Sequence, residues 1–285
     1  MNNEITVVLL SHKSKDLVIT FIKEIYDKFK IIIIDNSDDI NLKKEIQQNY
    51  PNIVLEFVKN KGYGSAVNHA SKMIKTNYFL ISNPDIVGIN EKNINEFIKV
   101  AKTLKDKFSS LGPRFINANP KSHVQSNSKN KIAEMKFISG ACMFFKKDTF
   151  EELGGFDENF FLYFEESDFC LRAHKRNKNY QINDVEVSHN VGTSVSVNSD
   201  HERKELDKLY TWHFIWSKFY YYKKNYSYIF ALFFFIPIIM RIIFRIIFYT
   251  LKKDIDNIEK YKVRLSGLIN SIKGNKSYKR IDLIK

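Results

Sequence analysis

The chain has 285 residues, 44% hydrophobic and 27% charged, with a formal net charge of +13 at pH 7. Such a composition excludes a globally disordered chain and leaves room for one large domain, or for one domain and an appendage. The positive charge fits an anionic partner such as a phosphorylated substrate or a membrane surface. It fits equally a coding bias that enriches Lys together with Asn, Ile, Phe and Tyr. The basic residues are dispersed and form no recognised module, so no nucleic-acid partner is expected.

Ile5 to Leu10 is a short apolar run that suits a buried parallel strand. It follows Met1 so closely that no N-terminal signal is expected. Leu17, Phe21, Ile25 and Phe29 have helical spacing, which predicts a helix over Asp16 to Phe29. Ile31 to Ile34 predicts a second buried strand ending on Asp35. Leu42 to Tyr50 follows as helix, Ile53 to Val58 as strand, Gly64 to Ile74 as helix and Tyr78 to Ile81 as strand. This alternation marks an open α/β sheet, in which ligands bind beyond the C-terminal ends of the strands. Ser11, Asp35 and Asp85 all lie just past strand ends.

Asn117 to Lys131 is rich in Asn, Ser and Lys and is expected to be a mobile loop. Met135 to Ile138 and Ala141 to Phe145 predict strands on either side of a Ser139-Gly140 break. Glu165 to Lys178 predicts a helix, and Val185 to Val187 a short strand leading to His189. Cys142 and Cys170 sit in apolar surroundings without metal-ligand spacing, as reduced thiols of a cytoplasmic protein do. The expected division is a catalytic domain over 1–202 and a helical, aromatic and basic extension over 203–285. Within the extension, Tyr228 to Thr250 is long enough to span a bilayer, but Pro237, Arg241 and Arg245 favour a helix lying in the membrane interface. The competing reading is a core helix or a homodimer interface.

Five stations carry candidate chemistry. Asp35, at a strand end, can accept hydrogen bonds from a ribose or base, or simply close an Asx-turn. Asn60 to Asn68, NKGYGSAVN, places two glycines at a helix start, where backbone amides can approach a phosphate. A plain loop-to-helix turn explains it as well. Asn83-Pro84-Asp85 offers a hard oxygen ligand suited to Mg²⁺ or Mn²⁺ on a diphosphate, or a simple turn. In Glu165, Glu166 and Asp168, helix geometry separates the acids. Asp168 and Arg172 form an i,i+4 surface pair, and Glu165 suits a helix start. Glu166 shares the inward stripe of Phe169, Cys170 and Ala173. His189 can complete a mixed oxygen and nitrogen metal site with Asp85, although a lone histidine is more often structural.

In this order the five stations resemble a family-2 glycosyltransferase of the GT-A fold, and in particular the rhamnosyltransferase-like enzymes of bacterial surface polysaccharides. The similarity covers about Ile5 to Ser194, and SGACMFFKKDTFEELGGFDENFFLYFEESDFCLR is its most specific piece. The implied fold is a Rossmann-like, open, mostly parallel sheet flanked by helices, with a C-terminal helical extension. The resemblance implies a nucleoside-diphosphate-sugar donor, dTDP- or UDP-linked. Ser11, Asp35 and the Asn60–Asn68 loop, with Lys61, Gly62 and Gly64, would line its site. It implies a divalent ion, Mg²⁺ or Mn²⁺, at Asp85 with His189 nearby, Asn83 standing where the family keeps a first acid. Ser139, Gly140 and Ala141 would lie beside sugar and acceptor. Glu166 matches the catalytic base, often Asp in the family, with Asp168 as second candidate.

The implied reaction is an inverting displacement onto a hydroxyl of a saccharide acceptor, lipid-linked as the tail suggests. The enzyme would sit peripherally on the inner face of the cell membrane. Two rivals fit less well. A nucleotidyltransferase needs a glycine-rich phosphate loop after the first strand, where this chain has Ser11-His12-Lys13-Ser14. A non-catalytic membrane scaffold suits the tail but leaves Glu166 and Asp85 without a role.

Overall fold

The computed structural model describes residues 2–116, 123–190, 195–197 and 199–280. The Asn117–Lys131 loop is therefore described only from His123 onward, and 191–194 lie outside the described residues. The elements run β1 (Asn2–Ser11), α1 (Lys15–Lys23), β2 (Phe29–Asp35), α2 (Ile40–Asn49), β3 (Val54–Phe57), α3 (Tyr63–Met73), β4 (Tyr78–Ser82) and β5 (Ile86–Val87). They continue with α4 (Glu91–Thr103), β6 (Ser110–Phe115), β7 (Ile132–Met135), β8 (Cys142–Lys146), α5 (Lys147–Glu152), α6 (Glu165–Ala173) and β9 (Asn179–His189). Three long helices close the chain, α7 (Asp200–Asn225), α8 (Tyr228–Leu251) and α9 (Ile255–Ile272).

One sheet has the order β3-β2-β1-β4-β8-β6-β9-β5, with β7 on β9. Its first four strands are parallel, as the sequence pattern requires. Beyond β4 the sheet is mixed, because β8 returns antiparallel to β4 while β6 and β9 pair in parallel. The run β1-β2-β3 builds outward on one side of β1, and β4 builds on the other. The loops after β1 and β4 therefore flank the point where strand order reverses, which is where such sheets take ligands.

Strand alternation feeds two apolar layers. Val7 and Leu9 of β1 and Leu80 of β4 join the layer under α1, α2 and α4, while Val8, Phe79 and Ile81 join the layer under α3 and α6. Burial on both faces is why these strands are continuous apolar runs. In the second layer Phe79, Phe145, Phe150, Phe156 and Phe169 interlock, many at near-perpendicular ring angles, and fix α6 against the sheet.

Four boundaries differ from the sequence expectation. α1 stops at Lys23, and Phe29 opens β2, because buried Ile25 continues the helical spacing through a turn. β7 ends at Met135, so Met135 to Ile138 is not a strand. Ile138 instead plugs the surface of Gly112, where a Cβ would lie 2.4 Å from its methyl group. α6 ends at Ala173, and the buried Asn179 side chain donates back to the Cys170 carbonyl. β9 spans eleven residues rather than the three of Val185 to Val187, since its polar positions pair with β6 and β7. Both cysteines are buried and free.

The chain divides into two compact units, 1–157 with 165–196, and 158–164 with 197–285. In the second, Gly267 lets α9 approach α7 so closely that a Cβ would lie 2.6 Å from the Trp212 carbonyl oxygen. Ile215, Phe219, Ala231, Phe235, Ile242 and Leu268 form its core. The segment 158–164 packs here, with Phe160 on Tyr220 and Phe161 on His213. His213 is fully buried. Its Nδ1 bonds the Ser277 hydroxyl and its Nε2 the Lys279 carbonyl, both at 2.8 Å, which pins the C-terminal strand of coil to α7.

The carbonyl can only accept, so Nε2 carries the proton and Nδ1 accepts from Ser277. Burial pushes the His213 imidazole down from 6.5 to about 4. The unfolded chain protonates this ring below pH 6.5, whereas the folded one resists until about pH 4. Its contribution is thus complete above pH 6.5 and is lost as the pH falls toward 4, by at most about 3 kcal/mol. Denaturant unfolding of wild type and His213→Gln at pH 7 and pH 4.5 should show the stability difference between them shrinking at the lower pH. A constant difference contradicts this assignment.

Candidate active site

The parallel strands deliver the first two stations to one sheet edge. Ser11 ends β1 and Asp35 ends β2, paired in register. Both are buried. The Asp35 carboxylate accepts from the Ser37 amide at 2.9 Å, the Ser37 hydroxyl at 3.1 Å and the Asp39 amide at 3.2 Å. Lys13 N–H donates to Ser37 Oγ, and Ser11 and Ser14 hydroxyls are 3.2 Å apart. Asp35 anchors an Asx-turn that knits two loops together at the ends of β1 and β2.

In the Asn60–Asn68 loop, Asn60 accepts from Gly62 N–H, and Gly62 caps α3 with φ at 107°, a conformation that suits glycine. Lys61 is exposed. Gly64 is buried because its missing side chain admits Phe156 and Glu165, whose Cβ atoms would lie 3.0 and 3.6 Å from an added Cβ. Asn68, the last residue of the loop, lies on α3. Its amide both donates to the Phe156 carbonyl at 2.8 Å and accepts from the Phe156 N–H at 2.9 Å. It clamps the turn that precedes the aromatic segment.

Asn83, Pro84 and Asp85 follow β4. Asn83 N–H donates to the Ala141 carbonyl, which ties this turn to the Ser139–Ala141 loop. Asp85 is 1% exposed, and neither carboxylate oxygen accepts a hydrogen bond from the described residues. The β5·β9 ladder pairs Ile86 with His189 and so brings His189 beside it, with Nε2 3.3 Å from Asp85 Oδ1. That approach is not aligned as a hydrogen bond. Two cis ligands about 2.1 Å from one octahedral ion lie about 3 Å apart, so the spacing suits joint coordination. A buried hard oxygen without a donor, facing an imidazole nitrogen, is a donor set that fits Mg²⁺ or Mn²⁺. Among the described residues no group of three or more His, Cys, Asp or Glu is placed to hold a metal.

The three acids of α6 sort differently from the helical-wheel expectation. Asp168 is fully buried and bonds Arg172 Nε at 2.9 Å, so the pair forms but not at the surface. Arg172 extends on to the Leu153 and Gly155 carbonyls. Asp168 thus holds the Gly154-Gly155 turn through Arg172. Glu165 is 4% exposed. Burial and then the charge of Glu166 raise its carboxyl well above the usual range.

Glu166, expected to face inward, is only half-buried. Phe169, Cys170 and Ala173 on its stripe are covered by the sheet, but Glu166 lies against Gly140, whose added Cβ would sit 3.4 Å from its Cβ and Cγ. Glu166 Oε1 accepts from the Ser167 hydroxyl at 3.2 Å. Tyr63 donates its hydroxyl to the Gly140 carbonyl and steadies that loop. Tyr163 and Phe164, immediately before Glu165, have φ of 69° and 70°. Bulky residues rarely adopt this region, at a cost of about 1–3 kcal/mol each, and such strain gathers at functional sites.

One residue escaped the sequence reading. His123 stacks on Phe115 with ring centroids 4.0 Å apart, bonds His189 Nδ1 through Nε2 at 2.8 Å, and reaches Ser139 Oγ through Nδ1 at 3.0 Å. Burial, then the neighbouring His189, pushes it down to about 4, while Asp85 pulls the other way. A histidine in a polar loop carries no local signal, since its partners lie 16 and 66 residues away. Contacts now run without a break from Asp85 through His189, His123, Ser139 and Gly140 to Glu166.

The family model described as Glycosyl transferase family 2 matches residues 6–154. The chain belongs to glycosyltransferase family 2. Over 213 residues it is 22% identical to the low-salt glycan biosynthesis hexosyltransferase Agl10 of Haloferax volcanii, covering 67% of this chain and 68% of that protein. Over 202 residues it is 25% identical to the rhamnosyltransferase WbbL of Escherichia coli, covering 58% and 75%. Among solved structures, the mannosyltransferase PcManGT of Pyrobaculum calidifontis, in complex with GDP-Man and Mn²⁺, superposes with a TM-score of 0.56 at 13% identity. The match covers 95% of this chain and 88% of that one. TarS 1–349 of S. aureus with UDP-GlcNAc also gives 0.56, at 16% identity, over 99% and 95%. This family-2 enzyme therefore has the GT-A fold. The family match ends at Gly154, so Glu166 and His189 rest on the geometry above.

Removal of the Asp168 carboxylate leaves a largely buried Arg172 with only its two carbonyl acceptors. We predict that Asp168→Ala lowers unfolding free energy by about 3 kcal/mol, whereas Glu166→Gln stays within about 0.5 kcal/mol of wild type. Urea titration of both variants checks the contrast.

Proposed function

We propose that this family-2 enzyme transfers a hexosyl group, rhamnose or a related sugar, from a dTDP- or UDP-linked donor to a hydroxyl of a lipid-linked saccharide, with inversion. The observation that carries the reading is the half-open Glu166 carboxylate at one end of the contact path and the buried Asp85 carboxylate at the other. The relatives' names, hexosyltransferase and rhamnosyltransferase, support the sugar class. The GDP-Man and UDP-GlcNAc bound in the solved structures support a nucleotide-sugar donor.

Asp85 and His189 would hold a divalent ion, which when bound supplies charge neutralisation for the departing diphosphate. Glu166 takes the proton of the acceptor hydroxyl as its oxygen forms a bond to the anomeric carbon. The bond from that carbon to the diphosphate oxygen breaks, and the nucleoside diphosphate leaves with the electron pair. Glu166 suits this work because it is only half-buried, unlike Glu165 and Asp168. Its neighbour Glu165, held protonated by burial, does not compete for the proton. Glu166→Gln should lower transfer about 100-fold or more with nucleotide binding retained. Calorimetry and a donor-hydrolysis and transfer assay read the two effects separately, and wild-type-like turnover would remove Glu166 from the base role.

The same proposal puts the enzyme at the inner face of the cell membrane through α8. This helix is long and apolar enough to cross a membrane by length and composition, and Phe233, Met240 and Phe244 on one face are 68, 66 and 63% exposed. Arg241 near its middle favours an interfacial position over a span. Replacing Phe233, Met240 and Phe244 by Gln in the full chain should abolish flotation with vesicles containing anionic lipid. Undiminished flotation would transfer the apolar face to a protein interface, a homodimer being the first to examine by sedimentation.

A further inference from the structure

The metal pair is reached by a string of hydrogen bonds whose direction decides whether it can work. His189 Nε2 can ligate an ion only as a lone pair, which places the ring proton on Nδ1. That N–H needs an acceptor, and His123 Nε2 lies 2.8 Å away. If His123 accepts there, its own proton sits on Nδ1 and is donated to Ser139 Oγ at 3.0 Å. Ser139 Oγ can take it, since a hydroxyl has two lone pairs and the Ala141 N–H, at 3.3 Å, uses one. Every polar atom along the string is then satisfied, and Nε2 faces Asp85 unprotonated.

The opposite direction is also possible to write. Ser139 donates to His123, His123 donates to His189 Nδ1, and His189 Nε2 then bears a hydrogen where the ion belongs. Asp85 gains little from it, because the 3.3 Å approach of Nε2 is misaligned and both carboxylate oxygens remain without a hydrogen bond. The two directions differ only in the positions of hydrogens, so a group that fixes the direction fixes metal competence.

We propose that His123 is a positioning residue for the metal site: as acceptor of the His189 Nδ1 proton, it presents the His189 Nε2 lone pair toward Asp85. It acts through His189 and touches neither donor nor ion. Its seat is built for this. The ring is 5% exposed and stacks on Phe115 within 4° of parallel, so both its nitrogens are aimed along the ring plane at fixed partners. Outer partners of this kind typically alter metal affinity 10- to 100-fold when removed. Because Ser139 lies next to Gly140, which abuts Glu166, the same string ties the ion's seat to the loop beside the base. The inference rests on the metal reading of Asp85 and His189 given above.

The test uses the full-length chain and Mn²⁺ alone, with free Mn²⁺ counted by electron paramagnetic resonance. His123→Phe keeps an aromatic stack on Phe115 but offers no acceptor. His123→Gln places an amide oxygen where Nε2 stood and an NH₂ group that can still serve Ser139. Mn²⁺ affinity should fall 10- to 100-fold in His123→Phe and stay within about threefold of wild type in His123→Gln. Equal affinity in wild type and His123→Phe overturns the inference and leaves the metal reading standing. Weakening of His123→Gln to the level of His123→Phe also overturns it, since the ring's shape rather than its acceptor would then matter. Failure of wild type itself to bind Mn²⁺, or full binding by Asp85→Ala, removes the metal site and this inference with it.

Discussion

The site depends on a carboxylate kept out of water without a hydrogen bond. Asp85 is 1% exposed, and neither oxygen has a donor. An isolated buried charge of this kind is strongly unfavourable unless a cation or donor answers it. The fold nonetheless spends several devices on keeping it there. Pro84 turns the chain off β4, β5 pairs with β9 to bring His189 alongside, and Asn93 reaches the Gly88 and Glu186 carbonyls to lock that short ladder. A divalent ion held by Asp85 and His189, as proposed above, would relieve this penalty.

The acids of α6 show the complementary use of burial. Three carboxylates within four residues are separated by what lies over each. Asp168 is buried with a guanidinium and serves structure. Glu165 is buried without one and is held protonated. Glu166 lies against a glycine and is only half-buried. One helical turn thus contains a carboxylate paired with a guanidinium, a deeply buried acid and the half-buried acid proposed as the base, and the difference comes from neighbours supplied by distant parts of the chain.

The parallel half of the sheet was legible because strands buried on both faces must be apolar throughout, as in Ile31 to Ile34, and because helices between them repeat at 3.6 residues. The order of stations along the chain was legible for a related reason, four of the five falling at or past a strand end. The mixed half was not, since β5 has two residues and β6 contains Gly112 and Pro113, which weaken any strand signal. Burial within α6 was misjudged because a wheel gives the faces of a helix but not which neighbour ends above its first turn. The hydrogen bonds by which Asn68 fixes loop geometry were not legible, since they form only once distant Phe156 meets it. His123 was invisible, because its role exists only once residues 115, 139 and 189 converge.

The most direct test is a crystal of the full chain grown with UDP or dTDP and Mn²⁺, with anomalous scattering measured at the manganese edge. The account predicts one strong peak within ligand distance of Asp85 and His189 Nε2, bridged to the diphosphate, with Glu166 left free of the metal. A peak elsewhere, or nucleotide bound with no manganese beside Asp85, would contradict it.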